Sequence, residues 1–138
     1  MKAGVAILPV DDDGTVYLTR EFRYAIGRDS IEVAGGGIDE GESPLVAARR
    51  EAREELGVEA SDWSQLGTID PFTAIVRSPA HLFLARGLSF TSTERDGAEV
   101  IETIRIPFDE AIRLVLAGTI THGPSCVLIL KAARVVGR

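Results

Sequence analysis

One stretch, "IEVAGGGIDEGESPLVAARREAREELGVEA" at residues 31–60, constrains this chain more than any other. Ser43-Pro44 supplies a hydroxyl N-cap and a first-turn proline, which is how helices start. Gly57 is a helix stop. Between them Leu45, Ala48, Ala52 and Leu56 repeat at helical spacing. On a wheel stepped at about 100° per residue, Glu55 falls roughly 40° to one side of Glu51 and Glu54 about 60° to the other. Three carboxylates therefore share one face, at the edge of the apolar stripe. Upstream, Gly35, Gly36 and Gly37 predict a tight loop or a close approach of backbone to a ligand.

Like charges at helical spacing repel, so something must offset them. Arg49, Arg50 and Arg53 are at hand, and an Arg50–Glu54 pair at i,i+4 would make this a solvated helix laced with ion pairs. The other reading is a magnesium site. Magnesium prefers oxygen ligands, keeps several waters, and is held by carboxylates together with substrate phosphates.

The rest of the chain frames that unit. Residues 2–10 read as a strand, 11–14 as its turn and 15–22 as the returning strand. A polar loop at 23–30 precedes a short extended segment at 30–34. Residues 63–69, 81–88 and 99–106 read as strands, with a proline-containing loop at 70–80. Residues 108–117 and 125–136 read as helices. Strands with inserted helices predict an α/β fold around a mixed sheet, and 138 residues suit one domain, 1–138. The net charge of −6 argues against binding a nucleic acid polymer. It leaves room for a small phosphorylated substrate, because a divalent metal brings positive charge. Cys126, the sole cysteine, excludes an internal disulfide and fits a cytoplasmic setting. No apolar run is long enough to span a bilayer, so no membrane role is expected.

The spacing Gly36, five residues, Glu42, seven residues, then Arg50-Glu51-Ala52-Arg53-Glu54-Glu55-Leu56-Gly57-Val58 resembles the complete box of the Nudix hydrolase family, G-x5-E-x7-R-E-U-x-E-E-x-G-U with U apolar. Every fixed position is met; Ala52 is smaller than the usual Ile, Leu or Val. The resemblance implies a Nudix-type α/β/α sandwich around a mixed β-sheet. It implies metal-dependent hydrolysis of a nucleoside diphosphate linked to another moiety, with Mg2+ as cofactor and Mn2+ as the alternative. By position, Glu51 and Glu55 are the main metal ligands. Glu54 is a further ligand or catalytic carboxylate, and the Gly35 carbonyl an added ligand. Arg50 orients the carboxylates, and Glu42 braces the loop or joins a second metal.

The flanks resemble the ADP-ribose and ADP-sugar pyrophosphatase branch. "REFRYAIGRDSIEVAGGGIDEGE" matches its arginine segment before E-x-P-A-G, with Val33 in place of proline, and residues 80–88 and 96–123 resemble it downstream. This implies that Arg23, Glu32 and Gly36 contact substrate and that Arg77 is a candidate phosphate contact. In that branch the loop before the His81 strand often carries a glutamate base. Here the loop has none, which leaves Glu54, or Glu99 or Glu102 of the later strand, as base or extra ligand. The branch's N-terminal dimerisation segment has no counterpart before the first strand here, and a homodimer is an expectation from resemblance alone. His81 and His122 read as structural. Phe22 and Phe72 are candidates to stack on adenine. The alternatives are a nucleoside triphosphate pyrophosphohydrolase and a nucleotide-sensing domain without turnover.

Overall fold

The structure, a computed structural model, describes residues 2–92 and 101–138. Seven strands and three helices follow one another as β1 (Gly4–Pro9), β2 (Thr15–Arg23), β3 (Arg28–Glu32), β4 (Ala34–Gly37), α1 (Pro44–Leu56), β5 (Val58–Ile69), β6 (Ala80–Phe90), β7 (Glu102–Pro107), α2 (Phe108–Leu116) and α3 (Gly123–Val135). The strands form two sheets. The first is mixed, in the order β4-β1-β6-β5, with β1 and β6 parallel and the other pairs antiparallel. The second is antiparallel, β3-β2-β7.

β1 explains the layering. Its sequence, GVAILP, shows no polar alternation, which suits a strand covered on both faces. Successive side chains point to opposite faces. Val5 and Ile7 meet Ala47, Ala48 and Ala52 of α1. Ala6 and Leu8 join the larger core built with Leu128, Ile129 and Ala132 of α3 and Phe108 of α2. The result is the expected sandwich, with α1 on one side and α2 and α3 on the other. Among the described residues, no helix is long and apolar enough to cross a membrane.

Local signals set the ends of α1. The Ser43 side chain accepts from the Val46 N–H at 3.2 Å, Pro44 is the first helical residue, and Gly57 stops the helix at φ 64°. Several boundaries differ from expectation. The segment 35–37 is not a loop but strand β4, paired with β1, and none of its glycines has positive φ. The polar loop at 23–30 shrinks to a turn, because β2 and β3 pair as far as Arg23 opposite Arg28. β5 starts at Val58 and continues past a register irregularity between Gln65 and Thr68, so it is longer than its apolar pattern suggests. Leu45 is left 36% exposed and Ala47 takes its place on the buried face of α1.

Candidate active site

The glycines of β4 permit close approach to both neighbours. A Cβ on Gly35 would stand 2.4 Å from the Val5 carbonyl oxygen. One on Gly36 would stand 2.5 Å from Glu51 Oε1 and 2.6 Å from its Cδ. Real atoms do not come so close, so β4 lies against β1, and the Glu51 side chain against β4, only because side chains are missing here. The alanines of α1 have the same effect from the other side.

This nearness brings carboxylates onto the strand. The Gly35 N–H donates to Glu55 Oε1 at 2.9 Å. The Glu51 carboxylate lies beside that of Glu55, and each bears on the other's charge. Burial pushes the Glu55 carboxyl up to about 8; the Gly35 N–H opposes this, and the neighbouring Glu51 charge adds to it. Glu51 is also raised, chiefly by burial, despite its contact with Arg50. Glu54 is more open, its side chain 36% exposed.

Arg50 organises the edge. Its Nε and Nη2 donate to the two oxygens of Glu42 at 2.8 and 2.9 Å, a bidentate pair. Nη1 donates to Glu51 at 2.7 Å and to Glu54 at 3.4 Å, and Nη2 also reaches the Gly37 carbonyl at 3.1 Å. Those bonds, with one from the Asp39 N–H, hold the Glu42 carboxyl down to about 2. Arginine thus balances part of the acidic cluster, and Glu42 ties the loop before α1 to the helix. The balance is incomplete. Glu55 is half-buried beside another carboxylate and receives the Gly35 N–H, an environment that favours a cation. Among the described residues no three acidic or histidine side chains already stand around one point as a cation cage. The donors that are present, Glu51, Glu54 and Glu55 with the nearby Gly35 carbonyl, are hard oxygens. They suit a divalent cation that takes its remaining ligands from water and phosphate.

Beside this edge opens a cavity of about 440 Å3. Gly35, Gly36, Gly37 and Glu55 form one side, and Arg23, Glu32 and His122 another. Arg23 Nε and Nη2 grip Glu32 at 3.1 and 2.9 Å. Burial alone would raise the Glu32 carboxyl, but the bonds from Arg23 help to reverse that and hold it below the usual range. Phe72 also lines the cavity and is 48% exposed, whereas Phe22 does not line it and packs edge-on against Tyr24. Arg77 is exposed on the loop between β5 and β6 and is not part of the lining. Glu102 pairs with Arg20 at 3.3 Å. Strand alternation places both on the face of β2 opposite Thr19, which lines the cavity. Glu99 lies outside the described residues.

Lys2, Thr19, His122 and Ser125 belong to this region and were not singled out as site residues by sequence. The Ser125 hydroxyl accepts from the Val33 N–H, 92 positions away in the chain. No local pattern signals such a bond. For His122 the available sign was its place just before Gly123-Pro124, the start of a helix.

The molecule is thus an α/β sandwich that sets a carboxylate-edged helix against a glycine strand beside a cavity. The NUDIX domain family profile matches residues 1–125, and the chain belongs to that family. It is 34% identical to the CMP-5'-(N-acetyl-N-hydroxy-3-aminopropyl)phosphonate hydrolase of Streptomyces rubellomurinus, over 91% of this chain and 62% of that protein. It is 30% identical to the ADP-ribose pyrophosphatase of Bacillus subtilis, over 80% of this chain and 61% of that protein. The chain thus spans about three fifths of the length of these curated relatives. The crystal structure of an ADP compounds hydrolase superposes with a TM-score of 0.85 at 24% identity, covering 97% of this chain and 73% of that one, a likeness of fold.

Proposed function

We propose that this protein is a divalent-cation-dependent pyrophosphatase. Its substrate is a nucleoside diphosphate joined to another moiety, foremost ADP-ribose or a related ADP-sugar, and its products are AMP and a sugar phosphate. The observation that carries this reading is the half-buried Glu51–Glu55 pair set against the glycine strand beside the cavity. The kinship with an ADP-ribose pyrophosphatase supports the choice of substrate.

Magnesium, with manganese as the alternative, would be held by Glu51, Glu55, Glu54 and the Gly35 carbonyl. Bound there, it supplies positive charge against the diphosphate and Lewis acidity toward its oxygens. Arg50 keeps Glu51 aimed along the edge while bracing Glu42. Glu54, the most exposed of the three helix carboxylates, takes the proton of the attacking water. Gly36, lacking a side chain, leaves room for the Glu51 carboxylate. Arg23 and Glu32 contact the moiety beyond the diphosphate. The partner is a small nucleotide and not a polymer, in keeping with the net charge of −6, and the setting is the cytoplasm. A homodimer is the assembly this reading favours, and light scattering tests it.

The deciding experiment incubates the purified protein with magnesium and a panel of ADP-ribose, other nucleotide sugars, dinucleoside polyphosphates and nucleoside triphosphates, and identifies the products. AMP plus sugar phosphate is expected; pyrophosphate release from triphosphates alone would replace the substrate class. Glu55→Gln removes a charged ligand and is expected to lower turnover at least about a hundredfold while the fold survives. Unchanged turnover in that variant would refute the cation assignment.

A further inference from the structure

The cavity wall that includes Arg23 is a polar corner built from the β2–β3 hairpin and, far along the chain, the start of α3. Arg23 ends β2, Glu32 ends β3, and His122 and Ser125 stand at the start of α3. Glu32 is 6% exposed and Ser125 is fully buried. The Ser125 oxygen accepts from the Val33 N–H at 2.9 Å and lies 2.7 Å from His122 Nδ1. A hydroxyl carries one proton. That oxygen has a second lone pair, so either Nδ1–H donates to it or the serine donates to Nδ1, and Glu32 Oε1 stands 3.8 Å from the same nitrogen. The second tautomer puts the ring's own proton on Nε2, at the edge turned away from Ser125. Burial pushes the imidazole down, against the pull of Glu32, and so favours the neutral ring.

The charges in the corner are also matched. Arg23 is met by Glu32 at 2.9 Å and by Glu21 at 2.8 Å. A third phosphate placed here would face the Glu32 carboxylate with the arginine already engaged by Glu32 and Glu21. A sugar would face a donor in His122 and acceptor oxygens in Glu32.

We propose that His122 is a specificity contact: its Nε2–H donates a hydrogen bond to a hydroxyl of the uncharged sugar beyond the diphosphate, so that the corner selects a nucleoside diphosphate sugar over a nucleoside triphosphate. This rests on the pyrophosphatase reading of the neighbouring edge. It gives His122 a role beyond the structural one its sequence context suggests.

Two variants separate contact from scaffold. His122→Asn keeps a polar partner for Ser125 but has nothing at the Nε2 position. His122→Gln restores an amide donor there. Binding of ADP-ribose and of ATP is measured calorimetrically in EDTA, and the imidazole nitrogens are followed by NMR. The expected result is a three- to tenfold loss of ADP-ribose affinity in His122→Asn, about what one hydrogen bond contributes. His122→Gln should recover much of it, ATP affinity should stay unchanged, and the Nε2–H resonance should shift on adding ADP-ribose. Unaltered ADP-ribose affinity in His122→Asn, an equal loss for ATP, a proton found on Nδ1, or no ADP-ribose binding by the wild type would each overturn the proposal. Should the wild type bind ADP-ribose through His122 yet release no AMP with magnesium, the contact stands and only the pyrophosphatase reading falls.

Discussion

The two sides of the sandwich are packed on opposite principles. On the α2 and α3 side, Phe108, Ile120, Leu128 and Ile129 are at most 1% exposed and meet Leu8, Leu18 and Leu82 from the sheets. On the α1 side the buried helix residues are Ala47, Ala48, Ala52 and Leu56, and the strand across from them contains three glycines. Large side chains bury more apolar area, so the first side contributes more stability. Small ones bring backbones close. The second side gives up packing area so that Glu55 can reach the Gly35 N–H and Glu51 can lie over Gly36. One face holds the fold together and the other holds carboxylates in place.

Substitutions on the two faces should therefore fail in different ways. The largest loss of stability is expected from Leu128→Ala, about 2–5 kcal/mol for a leucine truncated in a packed core. Urea unfolding would measure it, and the fraction that remains folded should keep its KM. A cost well under 1 kcal/mol would mean that this face is not the main core.

The glycines of β4 offer a finer test, because adjacent residues meet different obstacles. A methyl at Gly35 would run into the backbone oxygen of Val5, which cannot move without shifting β1. Gly35→Ala should cost about 1–3 kcal/mol, as overpacking does. A methyl at Gly36 would first meet the carboxylate end of Glu51, a flexible side chain that can swing aside. Gly36→Ala should change stability by less than about 1 kcal/mol, yet lower turnover at least tenfold by displacing Glu51. Equal effects from the two variants, in unfolding and in rate, would break the distinction between holding the fold and holding the carboxylates.

The smallest effect concerns Tyr17, on the α1 side, 7% exposed and packed with Ala34, Leu56 and Val58. Burial, followed by its hydrogen bond to Asp11 Oδ2 at 2.9 Å, pushes the phenol up to about 12. Because the folded value lies above the unfolded one near 10, Tyr17's contribution to stability is complete below about pH 10 and is lost as pH rises through 12. The ultraviolet titration difference between wild type and Tyr17→Phe should show its midpoint near 12. A midpoint near 10 would mean that this small cluster is open to water.

Much of the carboxylate edge was legible because it is local. Ser43-Pro44, Gly57 and the spacing of Glu51, Glu54 and Glu55 lie within one helix, where 3.6 residues per turn fixes which side chains share a face. The link from Arg50 to Glu54 was foreseen on the same ground, and the resemblance supplied the orienting role of Arg50. Glycine was harder to interpret. The same lack of a Cβ serves a loop, a turn or a close approach, and only the pairing of residues 34–37 with β1 showed that here it means approach. Strand ends were also misjudged. β2 and β3 extend into polar sequence because each continues to find backbone partners in the other.

The sequence by itself determined the helix, its caps and the grouping of acids along its edge, since those follow from backbone geometry over a dozen neighbouring residues. Tertiary structure alone decided that Glu102 turns away toward Arg20, that Glu55 bonds to the Gly35 N–H, and that His122, Ser125, Arg23 and Glu32 meet at one corner. Those contacts join residues as far as 92 positions apart. They are set by how the sheets stack and which strand lies beside which, and no short-range periodicity records that.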